Sequence, residues 1–342
     1  MRFSGITTVA AALTIMAASL PAGAADGDTV KAIKDRGHLI CGADGTRPGF
    51  SAPDSQGKWS GFDVDFCRAV AAAILGEADK VKYIALTPVQ RFPSLQSGEI
   101  DMLSRVTTWT LTRDTALGFN FAPVTLYAGT KLMVHKSLGV KSGKELNGAS
   151  VCVPPGTTIE RNIADFFGNL KMSYTPVVID NLKELNDAYL AKRCDVMANF
   201  GPGLALVRLQ SGKQEDHVIL PDDLVKEPLG PAIRHGDEQF HDIVTWTVLA
   251  TFQAEEWGIS SKNVDEMRDG KNPEIERFLG KSGDLGKKLG IAPDWVYQIV
   301  KQVGNYEEIF ENNIGKNAPL KMERGLNRQW TQGGLLYAPP FQ

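Results

Sequence analysis

A two-lobed α/β fold is predicted by three features of the sequence. Helical and extended segments alternate along both halves, which implies parallel sheet with right-handed crossovers. The stretches Leu95-Gln96-Ser97-Gly98-Glu99-Ile100-Asp101-Met102-Leu103 and Tyr189-Leu190-Ala191-Lys192-Arg193-Cys194-Asp195-Val196-Met197 repeat one order of helix, turn, aspartate and strand. With 342 residues, the chain is long enough for two domains of ordinary size, about 100–200 residues each.

Each element follows from local pattern. Residues 1–24 read as a secretory signal: Met1-Arg2 gives a positive start, Val9 to Ala18 is mostly apolar, and Ala22-Gly23-Ala24 offers a small-residue cleavage site. The apolar run is too short to span a membrane, and no cysteine near the cut offers a lipid anchor. A mature chain starting near Ala25, most simply periplasmic, is therefore expected. A helix over 29–36 and a strand over 38–41 lead into the polar Gly/Pro-rich loop 42–61. Phe62, Phe66, Val70 and Ile74 then recur every four residues and line one helical face. A strand over 81–86, a helical piece over 92–97 and an apolar strand over 100–103 follow. The second unit opens with the strand Val151-Cys152-Val153, then Pro154-Pro155-Gly156-Thr157 and a helix with Ile159, Ile163, Phe166 or Phe167, and Leu170 on one face. A helix over 182–191 and a strand over 196–198 complete it. Extended apolar stretches with glycine, 127–134 and 226–234, flank this unit.

Composition narrows the function. Hydrophobic residues at 43% and charged ones at 23% describe a globular protein, and 37 basic against 40 acidic residues argue against nucleic acid or an anionic membrane as partner. His38, His135, His217, His235 and His241 show no metal-ligand spacing, and Gly280-Lys281-Ser282 lacks the earlier glycine of a phosphate loop. No metal, cofactor or catalytic constellation is expected. A binding site is better supported. Thr107-Thr108-Trp109-Thr110-Leu111-Thr112-Arg113 directly follows a buried strand, at the edge where open α/β sheets bind ligands. The planar fork of Arg113 suits a carboxylate. Thr157 and Glu160 form a capping box, and the free N–H groups of that helix start favour an anion.

The segment Gly61-Phe62-Asp63-Val64-Asp65-Phe66-Cys67-Arg68-Ala69-Val70-Ala71-Ala72-Ala73-Ile74 resembles, at every position, the signature of the family 3 extracellular solute-binding proteins, receptors of ABC importers for polar amino acids. The tail, with Gly304-Asn305-Tyr306-Glu307-Glu308-Ile309-Phe310 and Gly333-Gly334-Leu335-Leu336-Tyr337-Ala338-Pro339-Pro340, is similar to the general L-amino-acid-binding subfamily. The resemblance implies a periplasmic-binding-protein-like fold whose extended stretches are two hinge strands. Lobe 1 would then comprise 25–131 and 234–342, and lobe 2 would be 132–233. It also implies a monomer that closes on a small-molecule ligand and docks on membrane permease subunits, with no cofactor. Arg113 would hold the ligand's α-carboxylate beside Thr108 and Thr110, Thr157 would grip the same group from lobe 2, and Phe50 would lie beside the pocket. Four cysteines allow three pairings. Cys41 with Cys67 and Cys152 with Cys194 is favoured, because each pair then lies inside one lobe; four buried thiols are the alternative.

One position departs from the family pattern. The aspartate that pairs with the ligand's ammonium in many relatives is replaced by Phe200, while Arg47 in the first cleft loop and Arg161 in the anion-binding helix add positive character. Two readings stay open: Asn199 or backbone carbonyls receive the ammonium, or the ligand is anionic and lacks an amine. An enzyme of the cyclohexadienyl dehydratase kind, on the same scaffold, would need Glu160 as its acid, a residue already engaged in capping.

Overall fold

Helix Phe62–Leu75 shows how local chemistry sets the framework. Asp63 and Asp65 sit in its first turn, where the helix dipole favours negative charge, and Gly76 closes its end in the left-handed conformation. Gly61, at φ 134°, admits the chain where a Cβ would stand 2.3 Å from the Phe50 carbonyl oxygen, so only glycine fits. The buried face packs on strand Leu39–Ala43 and on helices Glu238–Glu256 and Trp295–Gln302. Residues 26–342 are described in the computed structural model, so the expected signal segment, 1–24, lies outside the described residues.

Two sheets organise these elements. The first runs Val81–Ala85, Leu39–Ala43, Met102–Leu103, Ala232–Arg234, Phe119–Phe121; the second runs His217–Ile219, Leu126–His135, Val196–Phe200, Ser150–Val153, Thr175–Val178, with Val225–Leu229 also paired to Leu126–His135. Both are mixed rather than wholly parallel. The strands that follow helical crossovers are parallel, whereas Leu126–His135 and Ala232–Arg234 run antiparallel to their neighbours. The reason is connectivity: these two strands bring the chain in from the other sheet, so they start at the edge where the crossover strands end. Membership changes sheet between 121 and 126 and again between 229 and 232, whereas the expected cuts after 131 and 233 fall inside strands. The short strands Phe119–Phe121, Thr175–Val178 and His217–Ile219 carry no sequence pattern long enough to predict them.

Cys41 pairs with Cys67 (Cα–Cα 6.3 Å), and Cys152 pairs with Cys194 (5.7 Å), each within one half of the molecule. The larger core joins the first sheet to the C-terminal helices, and two smaller clusters cover opposite faces of the second sheet. After helix Tyr306–Asn313 the tail wraps the first half, where Phe341 meets Trp246 and Phe278 with ring centroids 5.0 and 4.9 Å apart. The buried amide of Asn327 pairs with both backbone groups of Tyr127: its Oδ1 accepts from the N–H at 2.6 Å and its Nδ2 donates to the carbonyl at 3.1 Å.

Candidate functional site

The halves face each other across a cleft at the ends of the crossover strands, the position where open α/β sheets bind ligands. Arg47, Arg91, Arg105 and Thr108 line it from the first half, and Thr157, Thr158, Asn199 and Phe200 from the second. Glu227, on the returning crossing strand, lines it from the hinge. The open space among these side chains is about 20 Å³, room for roughly one water, so an amino-acid-sized ligand enters only as lining groups part.

Positive charge is anchored from beneath. Asp44 is buried, with a carboxylate oxygen 3.0 Å from the Arg105 guanidinium and 3.6 Å from that of Arg47. Burial alone would raise its pKa, but Arg105, Arg47 and the Thr46 hydroxyl outweigh it and hold the carboxyl below its usual range. Arg105 also donates to the Leu86 carbonyl at 2.7 Å. Arg91 differs from Arg105. It opens helix Arg91–Ser97, is 3% exposed and lies over the Phe92 ring, yet it forms no ion pair among the described residues and its Nε has no hydrogen-bond partner. Burial, followed by the neighbouring Arg113, Arg105 and Arg47, pushes its pKa well down.

The loop after Met102–Leu103 is held in a conformation that few residues adopt. Val106, β-branched, sits at φ 45°, and its N–H donates to Asp63 at 3.1 Å. Asp63, one of the two signature acids, is pushed up to about 7, chiefly by burial. Its folded pKa lies above the ordinary 3.8, so the folded state retains a proton that the unfolded state releases, and this group's contribution to stability falls as pH rises from about 4 through 7. Asp63→Asn should therefore gain stability relative to the unmodified protein at pH 8 more than at pH 4. Urea denaturation at both values checks this, and an equal shift at both would show that Asp63 does not titrate in that window.

The predicted residues divide into those that meet at the cleft and those that do not. Thr108 and Thr157 line it; the Thr157 hydroxyl accepts from the Glu160 N–H at 3.2 Å, and Glu160 reaches back to the Gly156 N–H at 2.9 Å. Phe200 lines it beneath Arg47, whose guanidinium lies 5.2 Å from the ring centroid. Phe50 is fully buried behind Phe200, edge to face at 5.3 Å, and supports the wall from the rear. Arg113 is buried one layer back: its Nη1 donates to the Thr108 carbonyl at 2.7 Å, it lies over the Phe92 ring, and burial pushes its pKa down to about 10. Thr110 accepts from the Arg113 N–H and is not part of the lining. Arg161 is not brought to the site. Its side chain is 83% exposed beside Asp165, because it lies about 100° round the helix from Asn162, the residue that does turn inward.

Sequence reasoning missed Arg91, Arg105, Asp44, Asn162 and, most consequentially, Glu227. The acid absent at Phe200 reaches the cleft from the crossing strand instead. One Glu227 oxygen accepts from the Thr130 hydroxyl (2.8 Å) and the Asn162 amide (2.9 Å), the other from the hydroxyls of Thr158 (3.0 Å) and Thr108. The available signal was a lone carboxylate within the extended apolar stretch 226–234.

Known proteins resemble the chain along most of its length. Residues 39–263 match the family described as bacterial extracellular solute-binding proteins, family 3. The chain is 52% identical to the general L-amino acid-binding periplasmic protein of Rhizobium johnstonii over 98% of each chain. It is 49% identical to the glutamate/glutamine/aspartate/asparagine-binding protein of Rhodobacter capsulatus, over 96% of this chain and 98% of that one. Among solved structures, an ABC transporter/periplasmic binding protein from Brucella ovis with glutathione bound is similar at a TM-score of 0.90 and 48% identity, covering 93% of this chain and 100% of that one. Signature helix, paired mixed sheets, two crossing strands and full-length relatives agree: the chain belongs to the bacterial extracellular solute-binding proteins, family 3.

Proposed function

We propose that this protein is the periplasmic substrate-binding component of an amino-acid ABC importer, capturing a small carboxylate-bearing ligand between its lobes and presenting it to membrane permease subunits. The observation that carries this reading is the buried guanidinium of Arg91, which faces an interlobe cleft without an anion of its own. An uncompensated buried charge is unfavourable, and a ligand carboxylate supplies the missing partner. Lobe 1 would comprise the chain up to the first crossing and after the second, and lobe 2 the part between, with closure by bending at the crossings. The relatives bind amino acids by name, and glutathione in one structure places a larger carboxylate-bearing molecule within the same class. Among the described residues Glu227 is the one acid of the cleft lining, and it, Asp63 and Glu160 each accept from backbone or side-chain donors, so binding without turnover is expected.

Calorimetry against a panel of L-amino acids and glutathione, with each mixture followed by NMR, tests the reading; ligand consumption, or no binding to any member, would overturn it. In the same assay Arg113→Ala should weaken all bound ligands alike, by roughly tenfold to a hundredfold, because it removes a charge-assisted bond from the loop that presents Thr108. A loss under threefold for every ligand would exclude Arg113 from a supporting role.

A further inference from the structure

We propose that Glu227 receives the ammonium group of the ligand, so that the hinge strand supplies the acid missing at Phe200 and the receptor takes zwitterions that carry an α-amine. This rests on the receptor reading above and specifies the charge of its ligand.

Glu227 is 2% exposed, lines the cleft cavity and forms no ion pair among the described residues. All four of its hydrogen-bond donors are neutral hydroxyl or amide groups. The Arg113 guanidinium is near enough to act on it electrostatically but makes no ion-pair contact, so a buried carboxylate held only by neutral donors is left partly compensated. The same cavity therefore presents one buried anion without an ion-paired cation and, at Arg91, one buried cation without an ion-paired anion, and the two are not paired with each other. A ligand bearing both charges satisfies both groups at once.

The local geometry allows the exchange. The Thr108 and Thr158 hydroxyls reach the same Glu227 oxygen from opposite lobes, with their own oxygens 3.4 Å apart. A hydroxyl is a rotor with one donor, so each can turn toward a ligand carboxylate while the freed carboxylate oxygen accepts from the ammonium. The carboxylate and the amine of an α-amino acid would then lie on neighbouring atoms, as their covalent spacing requires. Asn162 and Thr130 would keep the second Glu227 oxygen in place throughout.

Calorimetry of the mature protein with L-glutamate and L-glutamine against glutarate, which keeps two carboxylates and lacks the amine, tests the proposal. The unmodified protein should prefer at least one amino acid over glutarate by about 100-fold or more. Glu227→Gln, its fold checked by thermal melting, should lose most of that preference by weakening the amino acids and sparing glutarate, whereas Glu227→Asp should retain it even if overall affinity falls. Equal binding of glutarate and the amino acids by the unmodified protein would overturn the assignment. So would parallel losses for all three probes in Glu227→Gln, or identical behaviour of the Gln and Asp variants. Failure of the unmodified protein to bind any panel amino acid would instead overturn the receptor reading on which the assignment rests.

Discussion

Replacing Arg91 with methionine is expected to weaken ligand binding by about 100-fold or more while leaving the ligand-free protein at least as stable as before. The two effects have opposite origins. In the free protein the guanidinium is buried over Phe92 with no anion and an unpartnered Nε, so an apolar side chain of similar reach removes a desolvated charge and keeps the packing. In the complex, the ligand carboxylate loses its partner inside a cleft that excludes water, a loss of about 3–5 kcal/mol for a buried pair broken on one side. Calorimetry and thermal denaturation of the same preparation separate the two. Unchanged affinity with lowered stability would show that Arg91 is structural.

Joint replacement of Cys152 and Cys194 by alanine should lower folding stability by roughly 2–5 kcal/mol, because the bridge closes a chain separation of 42 residues and confines the unfolded ensemble. The bridge joins strand Ser150–Val153 to the turn before Val196–Phe200, at the buried centre of the second sheet. Neither cysteine lines the cleft. Ligand affinity, measured where the variant is fully folded, should therefore stay within about threefold, while the denaturation midpoint moves strongly. An unchanged midpoint would show that second-sheet packing alone fixes this region.

The fold was largely legible because its signals are local. Phe62, Phe66, Val70 and Ile74 mark a helix whose observed span is Phe62–Leu75, and the strand-then-hydroxyl pattern before Thr108 places that residue at the cleft. Family resemblance was carried by the same continuous stretches. What escaped depends on relations between distant segments. Arg91, between Gln90 and Phe92, reads as an ordinary helix start; its isolation arises only because Arg105, Arg47 and Arg113 converge on the same side and Asp44 is taken by two of them. Glu227 is a lone acid in an extended stretch until the register opposite Ala128 and the approach of helix Thr158–Asn169 aim it inward. Arg113 was found by its motif, but its place behind Thr108 depends on Phe92, a residue of another element.

The Asn327 clamp on Tyr127 gives the two crossings unequal mechanical roles. A pair of unrestrained strands lets one body both nod and swivel against the other. Here the tail, packed on the first half through Phe341 and Gln329, grips the outgoing strand at its second residue from both backbone groups, so that point behaves as a fixed fulcrum. Swivel would break a bidentate amide contact; nodding about it would not. The returning strand pairs with the outgoing one at that same point, Pro228 opposite Tyr127 and Glu227 opposite Ala128, so the carboxylate would stay beside the fulcrum while the far ends of the halves swing.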